Sequence, residues 1–306
     1  FLKLSFITEE RERYSAEPAV LVNAYIRAAG MLRQAERVAE ELRLLGVETD
    51  IVKNGTFLSN VIKNEITSPQ NYDFIVYLDK DKYLPRMLEK CGLRLFNSAK
   101  AVEECDDKML TCIALAGGGV NLPDTLPAPL CYYADARVPQ EFVHGVGERL
   151  GFPLIAKKSF GSWGMDVRLI ADEEQLAAVA EEFRLYPHLY QKRVGKPGED
   201  YRILVVGKKA IACMKRKNEG DFRSNIEAGG KGEKACPAPV FFETAEKCAQ
   251  ILGLDYCGVD LLDEGGVPYV CEVNSNALFN EAERVTGVNV AGAYARYMVN
   301  CIKGEK

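Results

Sequence analysis

Between residues 19 and 96 the chain switches repeatedly between short apolar runs and one-sided helical patterns. That alternation restricts it to an α/β architecture with a parallel sheet, because each helix must carry the chain back across one face before the next strand begins. Ala19, Val20, Leu21 and Val22 read as a strand. A helix over about residues 31–45 follows, with Leu32, Ala35, Val38, Ala39, Leu42 and Leu45 on one face. Gly46 stands where a left-handed residue ends a helix at no Cβ cost. Residues 47–52 and 73–78 predict further strands, 83–91 a helix and 93–96 another strand.

Past Ser98, an N-cap residue, a single helix is expected to about residue 116, stopped by Gly117, Gly118 and Gly119. Pro123, Pro127 and Pro129 then predict an irregular connection, and a helix runs to Leu150. Residues 153–157 and 166–170 read as two strands joined by the glycine-rich turn at 160–164, which makes a hairpin rather than a crossover. Asp172 caps a helix to about residue 184, with Gln175 at capping-box spacing. Strands are expected at 189–194, 201–206 and 209–215, a polar glycine-rich segment at 217–238, a helix at 243–252 and a hairpin at 259–274.

Composition removes several function classes. No apolar run approaches the ~20 residues that span a bilayer, so no membrane partner is expected. Lys and Arg total 39 against 44 Asp and Glu, a balance that argues against a nucleic-acid partner held by phosphate neutralisation. His144 and His188 are the only histidines, too few for a histidine-rich zinc site or a Ser-His-Asp triad. The ten cysteines form no CxxC pair and mostly sit in apolar runs; they read as reduced thiols of a cytoplasmic protein. Residues 1–17 are charged, lack the layout of a secretory signal and are taken as an extension.

The chain contains neither a GxxxxGK[ST] phosphate loop nor a GxSxG nucleophile elbow. Three other groupings carry chemistry. Glycines in the 160–164 turn let backbone N–H groups approach an anion, with Lys157 supplying a point charge at the strand end. Taken alone, that turn reads first as an ordinary structural hairpin. Glu272 and Asn274 are two apart on one strand and therefore share a face, with Asp260 on the preceding strand. Two carboxylates and an amide suit Mg²⁺, although a solvated hairpin face explains many such placements. The stretch 215–231 concentrates Arg216, Lys217, Arg223 and Lys231, which predicts either a clamp for anionic substrate groups or a solvated loop.

Taken in order, Asp107-Lys108, the run from Pro153 to Lys157 with Gly161, Ser162, Trp163 and Gly164, Tyr190-Gln191-Lys192-Arg193, the segment from Asp200 to Gly207, the run from Gly220 to Asn225, Gly258-Val259-Asp260 and Glu272-Val273-Asn274 resemble the ATP-grasp superfamily. The run from Gly220 to Asn225 is particularly similar to the RimK-type α-L-glutamate ligases. The resemblance implies an N-terminal Rossmann-like pre-ATP-grasp domain at 18–97, a central lobe with its lead-in helix at 98–188 and a C-terminal lobe at 189–306. It implies that ATP is gripped between the lobes, with Lys108 and Lys157 on the phosphates under Gly161, Ser162 and Gly164. Gln191, Lys192 and Arg193 are then the adenine hinge, Asp200 a further nucleotide contact, and Arg223, Ser224 and Asn225 a phosphate-side loop. Asp260, Glu272 and Asn274 become ligands of Mg²⁺, or of Mn²⁺ in its place. Lys192 stands where the family usually has an acidic residue, so its backbone is expected to face adenine, and Glu227-Ala228 stand where a His-Arg pair is common.

The activity so implied is ATP-dependent joining of a carboxylate to an amine through an acylphosphate, with a small molecule or peptide as acid and glutamate or another amino acid added. Arg216, Arg223 and Arg202 are the residues expected to steady the acylphosphate. A rival reading is a regulatory protein that binds ATP without turnover, and a homo-oligomer is compatible with either. Strand parity adds a condition. If Leu262 paired with Val267 across a four-residue turn, Glu272 and Asn274 would face away from Asp260, so an odd-numbered connection or a β-bulge is required.

Overall fold

The computed structural model describes residues 17–68, 72–162, 164–226 and 229–304. The extension read at 1–17 therefore lies outside the described residues except for its last position, as do Trp163 and the Glu227-Ala228 pair. The first unit is β1 (Ala19–Val22), α1 (Ala29–Leu44), β2 (Asp50–Lys53), a small hairpin of β3 (Asn60–Ile62) and β4 (Glu65–Thr67), β5 (Phe74–Leu78), α2 (Tyr83–Lys90) and β6 (Arg94–Phe96). Four of these strands form a parallel sheet in the order β2-β1-β5-β6. The residues of β1 and β5 are buried on both faces, which is why they read as continuous apolar runs rather than alternating ones.

The helix expected after Ser98 is two helices, α3 (Ala99–Asp106) and α4 (Lys108–Leu115). Asp107 breaks it by taking an extended backbone and capping the second helix, accepting from the amides of Met109 (2.8 Å) and Leu110 (3.2 Å). The break places Lys108 at a helix start, beside the glycine-rich turn. Beyond it come β7 (Thr125–Pro127), α5 (Gln140–Leu150), β8 (Leu154–Lys158), β9 (Val167–Ile170), α6 (Glu173–Phe183) and β10 (His188–Lys192). They build a four-stranded antiparallel sheet, β7-β10-β8-β9, with α5 and α6 packed on one face.

The largest sheet is β13-β12-β11-β14-β15, formed by β11 (Glu199–Val206), β12 (Lys209–Lys217), β13 (Lys231–Lys234), β14 (Tyr256–Glu264) and β15 (Val267–Asn274), with α7 (Pro239–Ile251) between β13 and β14. Two helices that the sequence reading did not assign, α8 (Asn280–Thr286) and α9 (Val290–Lys303), close the chain. Ile203, Val205, Cys213, Cys257, Val259 and Val273 point to one face and pack with α7. On the other face Leu204, Val206 and Tyr256 meet Tyr294, Ala295 and Met298 of α9, in a core shared with α1 and β1. Toward the opposite ends of the same strands that second face turns polar, and there it looks at the small sheet.

Candidate active site

Cross-strand register explains the polar half-face. Arg202 on β11 is opposite Asp260 on β14, which is opposite Glu272 on β15; Asp200 and Arg216 oppose each other two residues along. The connection between β14 and β15 is the two-residue turn Gly265-Gly266, with φ of 62° and 88°. Both angles lie in the left-handed region that the turn geometry of a tight hairpin requires. Such an even turn would send Glu272 to the wrong face. A bulge corrects it: Leu261 pairs with Val270 and Asp260 with Glu272, leaving Cys271 as the extra residue.

The site is a cleft between the small and large sheets. Its lining includes Lys108, Lys157, Gly161, Ser162, Gly164, Gln191, Lys192, Arg193, Asp200, Arg216, Arg223, Ser224, Asn225, Asp260 and Glu272. These residues come from the start of α4, from β8 and β10 of the small sheet, from β11, β12, β14 and β15 of the large sheet, and from the connections between them. Arg202 and Asn274 are absent from the lining. Arg202 lies beside Asp260 and holds it with two parallel bonds of 2.7 Å each, from Nε and Nη2.

Arg216 is expected in a loop, yet it lies on β12 and is 1% exposed. Its Nε donates to Asp200 (2.7 Å), its Nη2 also meets Asp200, and Nη2 is 2.8 Å from Asp260. Arg202, Asp260, Arg216 and Asp200 therefore form a charge-alternating chain. Burial would raise the Asp260 carboxyl, but Arg202 and then Arg216 outweigh it and hold it below the usual carboxylate range. Burial likewise opposes charge on Arg216, and Asp200 and Asp260 overcome it to raise the guanidinium well above its ordinary value.

Other cations of the 215–231 stretch also have acidic partners, so it is not a bare basic surface. Lys215 pairs with Glu199 (2.6 Å), Lys217 with Glu233, and Arg223 with Asp221 (2.6 Å). Arg223 uses its remaining nitrogen to donate to the Gly164 carbonyl (2.7 Å), tying the 220–225 loop to the glycine-rich turn. Gly164 has φ of 67°, and a Cβ there would stand 3.0 Å from both Arg223 Cδ and Asn225 Oδ1.

Lys108 Nζ donates to the Gly161 carbonyl (2.9 Å) and is 3.6 Å from Glu272. Lys157 reaches across from β8 to within 3.8 Å of the Cys271 sulfur. Burial raises the Cys271 thiol, with Lys157 pulling the other way. Gln191 is buried and gives its side-chain amide to Thr125 (2.9 Å). The Lys192 amide donates to Asp124 (2.9 Å) while its ammonium points to Asp124 Oδ2 (3.8 Å) and is half-exposed.

Asp260, Glu272 and Asn274 offer hard oxygen donors of the kind Mg²⁺ takes. Both carboxylates face cations here, and the Asn274 Nδ2 is buried without a hydrogen-bond partner. Among the described residues no three His, Cys, Asp or Glu side chains converge on a common metal position. An ion here would therefore draw the rest of its shell from the Asn274 amide, water and ligand phosphates.

Sequence reasoning missed Cys271, Lys158, Asp166 and Glu199 in this lining. The parity condition calls for an odd connection or a bulge but does not say where the extra residue falls; the register places it at Cys271. Lys158 and Asp166 pair at 2.9 Å across the base of the glycine-rich turn.

Comparison with known proteins accords with this geometry. A family description, RimK-like ATP-grasp domain, matches residues 105–298. The chain is 34% identical over 236 residues to human N-acetylaspartylglutamate synthase A, covering 76% of this chain and 59% of that protein. It is 35% identical over 217 residues to a probable alpha-L-glutamate ligase of Maridesulfovibrio salexigens, covering 70% of this chain and 69% of that one. The chain thus spans about six tenths of the length of the human relative. The crystal structure of a RimK domain ATP-grasp protein from Sphaerobacter thermophilus superposes with a TM-score of 0.69 at 18% identity, over 93% of this chain and 100% of that one. The D-alanine–D-alanine ligase of Bacillus anthracis complexed with ATP gives 0.69 at 17% identity, over 94% and 97%. From its motifs, its sheets and these likenesses together, the chain belongs to the RimK-like ATP-grasp family.

Proposed function

We propose that this protein is an ATP-dependent carboxylate–amine ligase that joins an amino acid, with glutamate the first candidate, to a small-molecule or peptide carboxylate. The observation that carries this reading is the meeting, in one cleft, of paired carboxylates on the large sheet with lysines and a glycine-rich turn on the other side. A carboxylate is a poor electrophile at neutral pH, and transfer of a phosphoryl group to it makes a leaving group that an amine displaces. Neither half-reaction needs an enzyme nucleophile. That suits a site whose lining contains no serine elbow and no histidine.

In this reading the phosphates lie between Lys108, Lys157 and the turn at 160–164, and adenine lies against the backbone of residues 191–193. Asp260, Glu272 and Asn274 hold Mg²⁺ or Mn²⁺, which when bound neutralises charge on the transferring phosphoryl group. Arg223 is the guanidinium nearest the phosphate side, with Ser224 and Asn225 beside it. Arg216 and Arg202 set the position and charge of Asp260 and Asp200, and so act on the reaction through those carboxylates. Residues 18–97 then serve as the leading domain, 98–188 as the central lobe and 189–306 as the C-terminal lobe. No helix among the described residues is long and apolar enough to cross a membrane. Ten free cysteines suit a reducing, cytoplasmic setting.

The test is phosphate release from Mg·ATP in a panel of amino acids and carboxylate acceptors, followed by product mass. An amide product with stoichiometric phosphate is expected, and Lys157→Ala should weaken ATP binding without changing the melting temperature. ATP binding with no turnover across the panel and no product mass would favour the regulatory reading.

A further inference from the structure

The N-terminal sheet meets the cleft through a residue that the family motifs do not include. Lys80 follows β5, and its Nζ donates to the Ser162 hydroxyl (3.2 Å) while pairing with Asp106 at 3.0 Å. Two residues on, the Lys82 ammonium lies 4.1 Å from the centroid of the Phe160 ring. Together with Lys108 on Gly161 and Arg223 on Gly164, these contacts mean that the glycine-rich turn is clasped by cations from three separate parts of the fold.

The turn that presents Lys80 is itself fixed. Asp79 accepts from its side at the strand end: Asn23 Nδ2 reaches both carboxylate oxygens (3.2 and 3.1 Å), Asn54 Nδ2 reaches Oδ2 (2.7 Å), and the Lys80 amide donates to Oδ1 (2.8 Å). Asn23, Asn54 and Asp79 each follow directly on a strand of the parallel sheet, β1, β2 and β5 in turn or within one residue of its end. The sheet's carboxyl edge thus orders the loop, and the loop holds out one lysine toward Ser162. Lys80 is about one-third exposed, so an ordinary surface pairing with Asp106 would have no need of this support.

We propose that Lys80 is a positioning residue for the nucleotide's phosphate chain, fastening the glycine-rich turn to the N-terminal sheet so that the turn stays over the cleft. The inference rests on the nucleotide reading given above. Ser162 lines the cleft and Lys80 does not, so Lys80 acts through the turn rather than on the reacting atoms. Losing it leaves the adenine side of the cleft, residues 191–193, untouched.

The test compares wild type, Lys80→Met and Lys80→Arg by calorimetric titration with Mg·ADP, by hydrogen exchange over residues 159–162, and by the ATP dependence of phosphate release. Lys80→Met should bind Mg·ADP about tenfold more weakly and exchange faster over 159–162 in the unliganded protein. Its KM for ATP should rise with kcat within about twofold, its melting temperature should be unchanged, and Lys80→Arg should restore most of the affinity. Unchanged exchange over 159–162 in Lys80→Met would overturn the fastening, and unchanged Mg·ADP affinity despite faster exchange would overturn its role in nucleotide binding. A wild type that bound no Mg·ADP at all would instead bring down the nucleotide reading itself, with the exchange result still judging the fastening.

Discussion

Asp260 lies directly opposite Glu272 across the β14–β15 pair only because Cys271 is bulged out of the ladder. Without the bulge, the tight Gly265-Gly266 turn would put Glu272 on the face covered by α7, where Val259, Leu261 and Val273 pack. The paired carboxylates differ in their surroundings. Asp260 is 2% exposed and shared by two arginines, whereas Glu272 is partly open and faces Lys108 at 3.6 Å.

That difference separates stability from activity. Glu272→Gln should lower Mg-dependent turnover by about 100-fold or more and cost less than about 1 kcal/mol of stability, since its ion pair is long and partly solvated. Asp260→Asn should abolish turnover to a similar degree and also destabilise the fold by about 3 kcal/mol, because it leaves Arg202 and part of Arg216 buried without their counter-charge. Urea denaturation beside phosphate-release assays measures both, and equal stability losses would contradict the assignment.

The Arg216–Asp200 pair predicts a coupling. Arg216→Met alone strands a buried carboxylate and should cost about 3–5 kcal/mol. Adding Asp200→Asn removes the stranded charge, so the double variant should be no less stable than the single and recover at least about 1 kcal/mol. Strictly additive losses in denaturant titrations would mean that the two side chains do not act as a pair.

Gly164→Ala adds a Cβ at a φ of 67° and 3.0 Å from Arg223 and Asn225. A left-handed alanine costs about 1–2 kcal/mol, and the crowding should push Arg223 off the Gly164 carbonyl. ATP affinity is expected to drop several-fold, read by calorimetry, while the small-sheet core keeps its stability. An alanine variant with wild-type affinity would show that the Arg223 contact is dispensable.

His188 gives a pH signature. It is buried, with Nδ1 2.8 Å from the Tyr186 carbonyl and Nε2 2.9 Å from the Tyr190 hydroxyl, so Nδ1–H donates to the carbonyl and Nε2 accepts from the tyrosine. Burial lowers its pKa. Below about pH 6.5 the unfolded chain takes up a proton that the folded one refuses, so falling pH favours unfolding. Wild type should lose stability relative to His188→Gln as pH falls below about 6.5. Parallel stability curves over that range would rule the effect out.

Local pattern was enough for most elements. Apolar runs buried on both faces announced β1 and β5, and Asp172 capped α6 as its spacing predicts, accepting from the Gln175 amide at 2.9 Å. It failed where two competing patterns overlap. Residues 98–116 carry helical periodicity throughout, yet Asp107 satisfies the amides of a new helix start better than it continues an old one, and that break sets Lys108 against the turn.

Which residues have the chemistry was legible from the chain, because charge, hydrogen-bonding capacity and strand parity are local properties of side chains and of the backbone's two-residue repeat. Tertiary structure alone decided which of them are free to use it. Whether Arg216 meets a ligand or two carboxylates depends on which strand lies beside β12 and in what register, and Lys80 reaches Ser162 only because the sheets are packed together. Those are contacts between residues 16 to 82 positions apart. Their cost in chain entropy is met by the cooperative packing of the whole core rather than by any local preference that a sequence pattern could display.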